Sequence, residues 1–121
     1  MILVDTSVWI DHLRIGNQRL NEILIADEVV CHPMVIGELS CGNMHRRKEI
    51  IALLHALPVV DRVSDDEVLF FIEKHRLYGM GLGLIDMHLL AACSIGNIQL
   101  WTLDKRLLKI AINLGVGSKP G

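Results

Sequence analysis

The chain has 121 residues, of which 51% are hydrophobic, and its formal net charge is −2 at pH 7. Its mean hydropathy of +0.41 excludes a disordered chain, and its charge is not that of a protein that coats nucleic acid without specificity. No apolar run reaches the ~18–20 residues that a membrane span needs. The opening MILVD carries a carboxylate and no basic residue, which argues against a signal peptide. We therefore expect a single cytoplasmic domain over residues 1–121 with no membrane partner.

Short apolar runs alternate with helical patterns along the chain. Strands are predicted at residues 2–4, 28–31, 58–60, 98–103 and 114–116. Helices are predicted from Thr6 or Ser7 to Gly16, from Asn17 past Leu24, from Pro33 to Gly42, over 50–57, from Ser64 to near Gly79, over 84–95 and from about Lys105 to Asn113. The segment 84–95 is apolar nearly all round, which predicts a central helix. Such alternation predicts a three-layer α/β/α fold with a parallel sheet of four to five strands, and an active site at their carboxyl ends.

The cysteines and the high apolar content bear on compartment and assembly. Cys31, Cys41 and Cys93 form no CxxC pair, which favours reduced and mostly buried thiols. Part of the apolar surface is expected to be covered by a second copy or a partner, because monomers rarely expose large apolar patches. Trp9, on the first helix, is expected in the core or at such an interface.

Four acidic residues are placed unusually for surface charges. Asp5 and Asp104 each follow a predicted strand, whereas Glu38 and Asp86 lie in otherwise apolar helical segments. Charges on apolar faces are costly unless they are paired or bound to a metal, and oxygen ligands alone favour Mg²⁺ or Mn²⁺. Taken singly, Asp5, Asp86 and Asp104 could each serve a helix N-terminus. Glu38, in the middle of a helix, has the weakest structural explanation.

The segments that carry these acids resemble a known family. They read VDTSVWI around Asp5, VIGEL around Glu38, GLIDMHLLAA around Asp86 and LWTLDKRL around Asp104. In this order they resemble PIN-domain ribonucleases, especially the VapC-type toxins of bacterial toxin–antitoxin pairs. The resemblance covers nearly the whole chain.

This resemblance implies a PIN-like fold and a metal-dependent endoribonuclease with Asp5, Glu38, Asp86 and Asp104 as its acidic quartet. It also places Thr102 at a hydroxyl position that lines the site. The implied substrate is a structured RNA, either tRNA or ribosomal RNA. The implied partners are a second copy of the chain, as a homodimer, and a VapB-like antitoxin whose C-terminal segment covers a groove beside the site.

Roles can be assigned to these residues as expectations. Asp5 and Asp86 would hold a catalytic Mg²⁺ or Mn²⁺, with Asp104 and Glu38 completing this site or a second one. Lys105 and Arg106 adjoin Asp104 and are candidates for phosphate contact, with Arg46 and Arg47 as further RNA-binding candidates. His88 is expected to be structural, because a residue two positions after Asp86 points to another face of the helix.

Three other interpretations remain open at this point. In a receiver-like signalling domain, Asp61 would accept a phosphoryl group and Lys105 would supply the lysine, but this leaves Glu38 and Asp86 unexplained. A phosphatase with an Asp-x-Asp motif would need an acid where Ser7 stands. A non-catalytic PIN scaffold would bind RNA or protein without cleaving it.

Overall fold

A four-stranded parallel sheet lies at the centre of the computed structural model, in which residues 1–118 are described. The strands are β1 (Ile2–Val4), β2 (Val29–Val30), β3 (Gln99–Trp101) and β4 (Gly117–Ser118), arranged in the order β2-β1-β3-β4. β1 pairs in parallel with both β2 and β3, and Val4 lies opposite Trp101. The residues that follow β1 and β3 therefore leave the sheet side by side at one edge.

Helices flank this sheet, which confirms the predicted α/β fold. In residues 1–118 they are α1 (Thr6–Ile15), α2 (Gln18–Ile25), α3 (Pro33–Cys41), α4 (Arg47–Ala56), α5 (Asp65–His75), α6 (Leu84–Gly96) and α7 (Lys105–Asn113). None of the described helices is long and apolar enough to cross a membrane.

Several helix starts follow the predicted signals. The side chains of Ser64 and Glu67 form a reciprocal capping box, in which each accepts a hydrogen bond from the other residue's backbone N–H. The Asn17 side chain accepts from the N–H of Leu20 at the start of α2. Pro33 occupies the first turn of α3, where its missing N–H costs nothing.

Helix α6 forms the centre of the core, as its apolar sequence predicted. Every residue from 87 to 93 is buried, and Leu89, Leu90 and Ala91 are fully inaccessible. The helix packs against β3 and α5. Burial of one leucine side chain contributes about 2 kcal/mol to the free energy of unfolding. The buried side chains of α6 therefore hold this helix, and with it Asp86 in its first turn, in a fixed position relative to the sheet.

The observed β2 and β3 are shorter than predicted, and two further predicted strands differ more strongly from the structure. Residues 58–60 make only an isolated parallel bridge, between Cys31 and Val59, so this edge of the sheet ends at β2. The last strand lies at Gly117–Ser118 and not at 114–116. Leu114 still has helical backbone angles and Gly115 turns the chain at φ +78°, so pairing with β3 begins only after this turn.

Two helical predictions also needed correction. Helix α5 ends at His75 and not near Gly79, because Arg76 adopts the left-handed conformation at φ 53° and its N–H bonds back to the carbonyls of Glu73 and Ile72. The helix predicted over 50–57 begins earlier, at Arg47, and ends at Ala56; within it Leu54 is fully buried whereas Leu53 is 52% exposed.

Trp9 and two of the three cysteines are buried. Trp9 is 1% exposed and belongs to the core, so it is not available to a partner. All three cysteines are free thiols, and Cys41 is the exposed one. Burial raises the pKa of Cys31 to about 11 and that of Cys93 to about 12, which keeps both thiols protonated and unreactive at neutral pH.

Candidate functional site

Asp5 stands directly after β1, at the sheet edge where β3 also ends, and its side chain is held by two hydroxyl groups. Its backbone N–H bonds to the carbonyl of Trp101, which continues the strand pairing by one residue. Its Oδ2 accepts hydrogen bonds from Thr102 Oγ1 at 2.7 Å and from Ser7 Oγ at 2.8 Å. Although Asp5 is only 6% exposed, its buried charge is therefore solvated by protein hydroxyls.

The two hydroxyls are themselves fixed by the loop after β3. Thr102 Oγ1 accepts from the N–H of Asp104 at 3.1 Å, and Ser7 Oγ accepts from the N–H of Leu103 at 3.0 Å. Each hydroxyl thus accepts from this loop and donates to Asp5. The carboxylate of Asp5 and the backbone around Asp104 are consequently fixed relative to each other.

Asp104 is the N-cap of α7. Its Oδ1 accepts from the backbone N–H groups of Arg106 and Leu107, at 2.9 and 3.1 Å. This is the usual bonding of an aspartate at a helix start, so Asp104 has a structural role in addition to its position at the sheet edge.

Asp86 lies in the first turn of α6 and is half-buried. Its Oδ2 accepts a 3.3 Å hydrogen bond from the N–H of Gly83. Its pKa is raised above the usual value, first by burial and then by the negative charges of Asp5, Asp104 and Glu38, while the bond from Gly83 opposes the shift. Asp86 therefore lies within electrostatic reach of the other three predicted acids.

Glu38 approaches this group from α3. Its Oε1 accepts a 2.7 Å hydrogen bond from Thr6 Oγ1, in the first turn of α1. The sequence placed Glu38 in an apolar segment, but the side chain lies on the exposed face of α3. The apolar surroundings that the sequence indicated for Glu38 are therefore absent on this face of α3, and its membership of the candidate site stays a prediction.

The four carboxylates share one feature. In the hydrogen bonds of residues 1–118, each has one oxygen that accepts a bond and one oxygen that accepts none. The bonded oxygen orients the group, and the other remains available to a ligand. Oxygen donors of this kind suit Mg²⁺ or Mn²⁺, and a bound cation would offset the mutual repulsion felt by Asp86.

The four acids alone do not complete the coordination sphere of a metal ion. Within residues 1–118, no three His, Cys, Asp or Glu side chains are close enough to enclose an ion as they stand. Mg²⁺ is usually held by one or two carboxylates and keeps several waters, so the donor chemistry fits this cation with water in the remaining positions.

The predicted RNA-binding residues fall in two places. Lys105 and Arg106 line an open pocket of about 560 Å³ together with Gly81 and Asp104. Arg47 instead donates two hydrogen bonds, at 2.8 and 3.2 Å, to the carbonyl of Ser40 near the end of α3. Arg46 is largely exposed and lies 4.0 Å from Glu49.

His88 is buried, as expected for a structural residue. Its Nε2 lies 3.3 Å from Asp65 Oδ1, on α5. Its ring packs edge-on against His32, with centroids 6.4 Å apart, and His32 accepts from the N–H of Met34 as the N-cap of α3. Burial, then the neighbouring His88 and Arg62, lower the pKa of His32 to about 4.

Sequence reasoning missed the polar residues that hold the acids. Thr6 and Ser7 were identified only as a possible helix start. The bonds of Thr6 to Glu38 and of Ser7 to Thr102 span 32 and 95 residues, so local patterns carry no signal for them. The sequence DTS after a strand could have suggested that the hydroxyls accompany the acid.

Comparison with known proteins places the chain in a family. The PIN domain family matches residues 2–113. Ribonuclease VapC32 from two strains of Mycobacterium tuberculosis, CDC 1551 / Oshkosh and ATCC 25618 / H37Rv, is 47% identical over 117 residues, which cover 96% of this chain and 94% of the relative.

Solved structures share the fold at low sequence identity. The structure of FitAB bound to IR36 DNA fragment has a TM-score of 0.66 at 16% identity and covers 99% of this chain and 95% of that one. FitAcB from Neisseria gonorrhoeae has a TM-score of 0.64 at 19% identity, over 99% and 98%. PAE2754 from Pyrobaculum aerophilum has a TM-score of 0.59 at 16% identity, over 94% and 88%. The chain belongs to the PIN-domain family and, within it, to the VapC-type ribonucleases.

Proposed function

We propose that this protein is a Mg²⁺- or Mn²⁺-dependent endoribonuclease and the toxin of a toxin–antitoxin pair. The observation that carries the proposal is the common state of Asp5, Glu38, Asp86 and Asp104, each with one oxygen held by the protein and one available. The relationship to Ribonuclease VapC32 supports the same activity.

In this proposal Asp5 and Asp86 hold the cation, and Glu38 and Asp104 complete its surroundings or a second position. When bound, a divalent cation lowers the pKa of a water and stabilises negative charge on the phosphate. Thr102 and Ser7 hold the Asp5 carboxylate in a fixed orientation through their hydrogen bonds to Oδ2, as the hydrogen-bonded neighbours of ligands commonly do.

The RNA backbone is expected to approach from the start of α7. Lys105 and Arg106 provide positive charge next to Asp104, and phosphate contacts from such residues supply most of the sequence-independent affinity for a nucleic acid. Arg46 and Arg47 remain weaker candidates. A tRNA or a ribosomal RNA is the proposed substrate.

The inhibitory partner that we propose is a VapB-like antitoxin. A pocket of about 400 Å³ lies beside Glu38, between α1 and α3, with Ile10, Leu13, Leu39 and Met44 among its lining residues. An apolar segment ending near Glu38 would fill this groove and cover the site. Leu13→Glu should weaken antitoxin binding and leave RNA cleavage unchanged.

We also propose that the protein forms a homodimer. Several large apolar side chains are exposed, among them Ile25 at 84%, Phe70 at 69% and Ile95 at 63%. Light scattering coupled to size-exclusion chromatography of the protein without antitoxin tests this; a mass of one chain at micromolar concentration would contradict it.

The central experiment is cleavage of total cellular RNA by protein that has been freed of any co-purifying partner. Discrete cleavage in Mg²⁺ or Mn²⁺, absent in EDTA and in Asp5→Asn, is the expected result. Asp61→Asn is the matched control, because Asp61 follows the isolated bridge at the far edge of the sheet and should be dispensable.

Other outcomes would favour the alternatives. RNA binding without cleavage would support a non-catalytic scaffold. Labelling by acetyl phosphate that is lost in Asp61→Asn would support a receiver-like domain. Full cleavage by Asp5→Asn would refute the assignment of the carboxylates.

A further inference from the structure

The start of α7 and the glycine-containing turn before α6 meet at one side chain. Arg106 Nη1 lies 3.4 Å from the carbonyl oxygen of Gly81, 25 residues earlier in the chain. The backbone of Arg106 is fixed independently, because its N–H bonds to Asp104 Oδ1 at 2.9 Å. The backbone of Arg106 is thus located by Asp104, a proposed metal ligand, and its guanidinium lies next to Gly81.

Gly81 leaves room for the side chain of Arg106. A Cβ atom at this position would overlap with Nη1 of Arg106 and lie 3.0 Å from its Cζ and 3.1 Å from its Cδ. The side chain of Arg106 therefore occupies the space that a Cβ atom at position 81 would need. Gly81 also has φ +79°, which L-residues rarely adopt.

The charge on Arg106 has no partner within the described residues. Among residues 1–118, Arg106 forms no ion pair within 4.0 Å, whereas Arg19 and Arg46 each face a glutamate three residues later. Arg106 also lines the open pocket, together with Gly81, Asp104 and Lys105. An unpaired, pre-positioned guanidinium at an open pocket is suited to bind an anion with two parallel hydrogen bonds.

We propose that Arg106 binds a phosphodiester group of the RNA at this pocket and that Gly81 positions the Arg106 guanidinium for that contact. The inference rests on the proposed nuclease function, since the pocket begins at Asp104 and the anion would lie next to the acidic group. Gly81 acts only through Arg106 and touches no substrate.

The turn supplies a matched control. Gly79 also has a left-handed backbone, at φ +73°, but a Cβ there would meet nothing within 4 Å. Gly79→Ala and Gly81→Ala should therefore suffer a similar strain and a similar small drop in Tm. Only Gly81→Ala should displace the guanidinium of Arg106.

The test measures the affinity for a labelled single-stranded RNA oligonucleotide as a function of salt, on the cleavage-inactive Asp5→Asn background. Arg106→Ala should reduce the slope of log K against log salt by about 0.7, the value for one phosphate contact on a single strand. Gly81→Ala should show the same reduction, and Gly79→Ala should keep the slope of the background protein. The double variant Gly81→Ala/Arg106→Ala should lose no more affinity than Arg106→Ala alone.

Each failure has a separate meaning. An unchanged salt slope in Arg106→Ala would overturn the phosphate contact, even if the unmodified protein cleaves RNA. A full slope in Gly81→Ala, with a reduced one in Arg106→Ala, would overturn the positioning role of Gly81. If the unmodified protein neither cleaves RNA in Mg²⁺ or Mn²⁺ nor binds it, the proposed function fails and this inference fails with it.

Discussion

Thr102 donates a 2.7 Å hydrogen bond from its Oγ1 to Oδ2 of Asp5, across 97 residues of sequence. The two residues meet because β1 and β3 are paired in parallel and end at the same edge. The same Oγ1 accepts from the N–H of Asp104. One hydroxyl therefore links the two acids that follow the central strands.

Thr102→Val should break both of these bonds with little change in volume. The N–H of Asp104 and the Oδ2 of Asp5 would each lose a partner, which costs about 1–2 kcal/mol of unfolding free energy. RNA cleavage should fall by about 10–100-fold, as for other residues that orient a ligand. Thr102→Ser keeps the hydroxyl and should remain near the parent in both urea unfolding and initial cleavage rate. Equal activity of the valine and serine variants would contradict this role.

Asp86→Asn should separate stability from activity. The carboxylate is destabilised by burial and by the charges of Asp5, Asp104 and Glu38, whereas an amide oxygen can still accept the bond from Gly83. In EDTA we expect a Tm a few degrees above that of the parent, because the repulsion is removed.

Added Mg²⁺ should reverse this order. The parent gains stability by binding the ion, and the variant gains little because a ligand is missing. Cleavage by the variant should be abolished. A lower Tm than the parent in EDTA would show that the acids do not repel one another in solution.

The sequence predicted those parts of the fold that depend on local pattern. Helix α6 was recognised because its apolar residues cover all faces, and α5 because Ser64 and Glu67 have capping-box spacing. The ends of a strand depend instead on the residues with which it pairs. The extents of the short strands predicted at residues 58–60 and 114–116 could therefore not be derived from local sequence.

The same distinction between local pattern and long-range contact applies to the candidate site. The four candidate acids were singled out by their positions after a strand or within an apolar helical segment and by the family resemblance of those segments, although Glu38 lies on an exposed face. The side chains that hold them, such as Ser7 and Thr6, are ordinary polar residues in the sequence. Their role arises only when the chain brings together positions up to 97 residues apart, as the packing of Gly81 against Arg106 also illustrates.

Arg47 and Arg46 are neighbours that should respond differently to substitution. Arg47→Gln removes two hydrogen bonds to the carbonyl of Ser40 and should cost about 0.5–1.5 kcal/mol. Arg46→Gln should change stability by less than about 0.5 kcal/mol, because Arg46 makes only a 4.0 Å exposed pair with Glu49. Urea unfolding of the two variants checks this, and filter binding of RNA shows whether either residue also contacts the substrate. A larger loss of unfolding free energy in Arg46→Gln than in Arg47→Gln would contradict the structural role assigned to Arg47.

His32 should make the protein sensitive to mild acid. Its pKa is lowered from 6.5 to about 4 by burial, then by His88 and Arg62, so the folded state favours the neutral ring. The stabilisation is complete above pH 6.5 and is lost as the pH falls towards 4, because the unfolded chain takes up the proton first. Between pH 7.5 and pH 5.0 this residue should remove about 2 kcal/mol of unfolding free energy.

His32→Asn isolates this contribution, because asparagine can still cap α3 through the N–H of Met34 and does not titrate. Urea unfolding at the two pH values should show a smaller loss for His32→Asn than for the parent. The exposed residue His55 provides the control, and His55→Asn should follow the parent. If the parent and His32→Asn lose the same unfolding free energy between the two pH values, the His32 ring takes up its proton as readily in the folded state as in the unfolded state. Any acid sensitivity would then originate elsewhere in the chain.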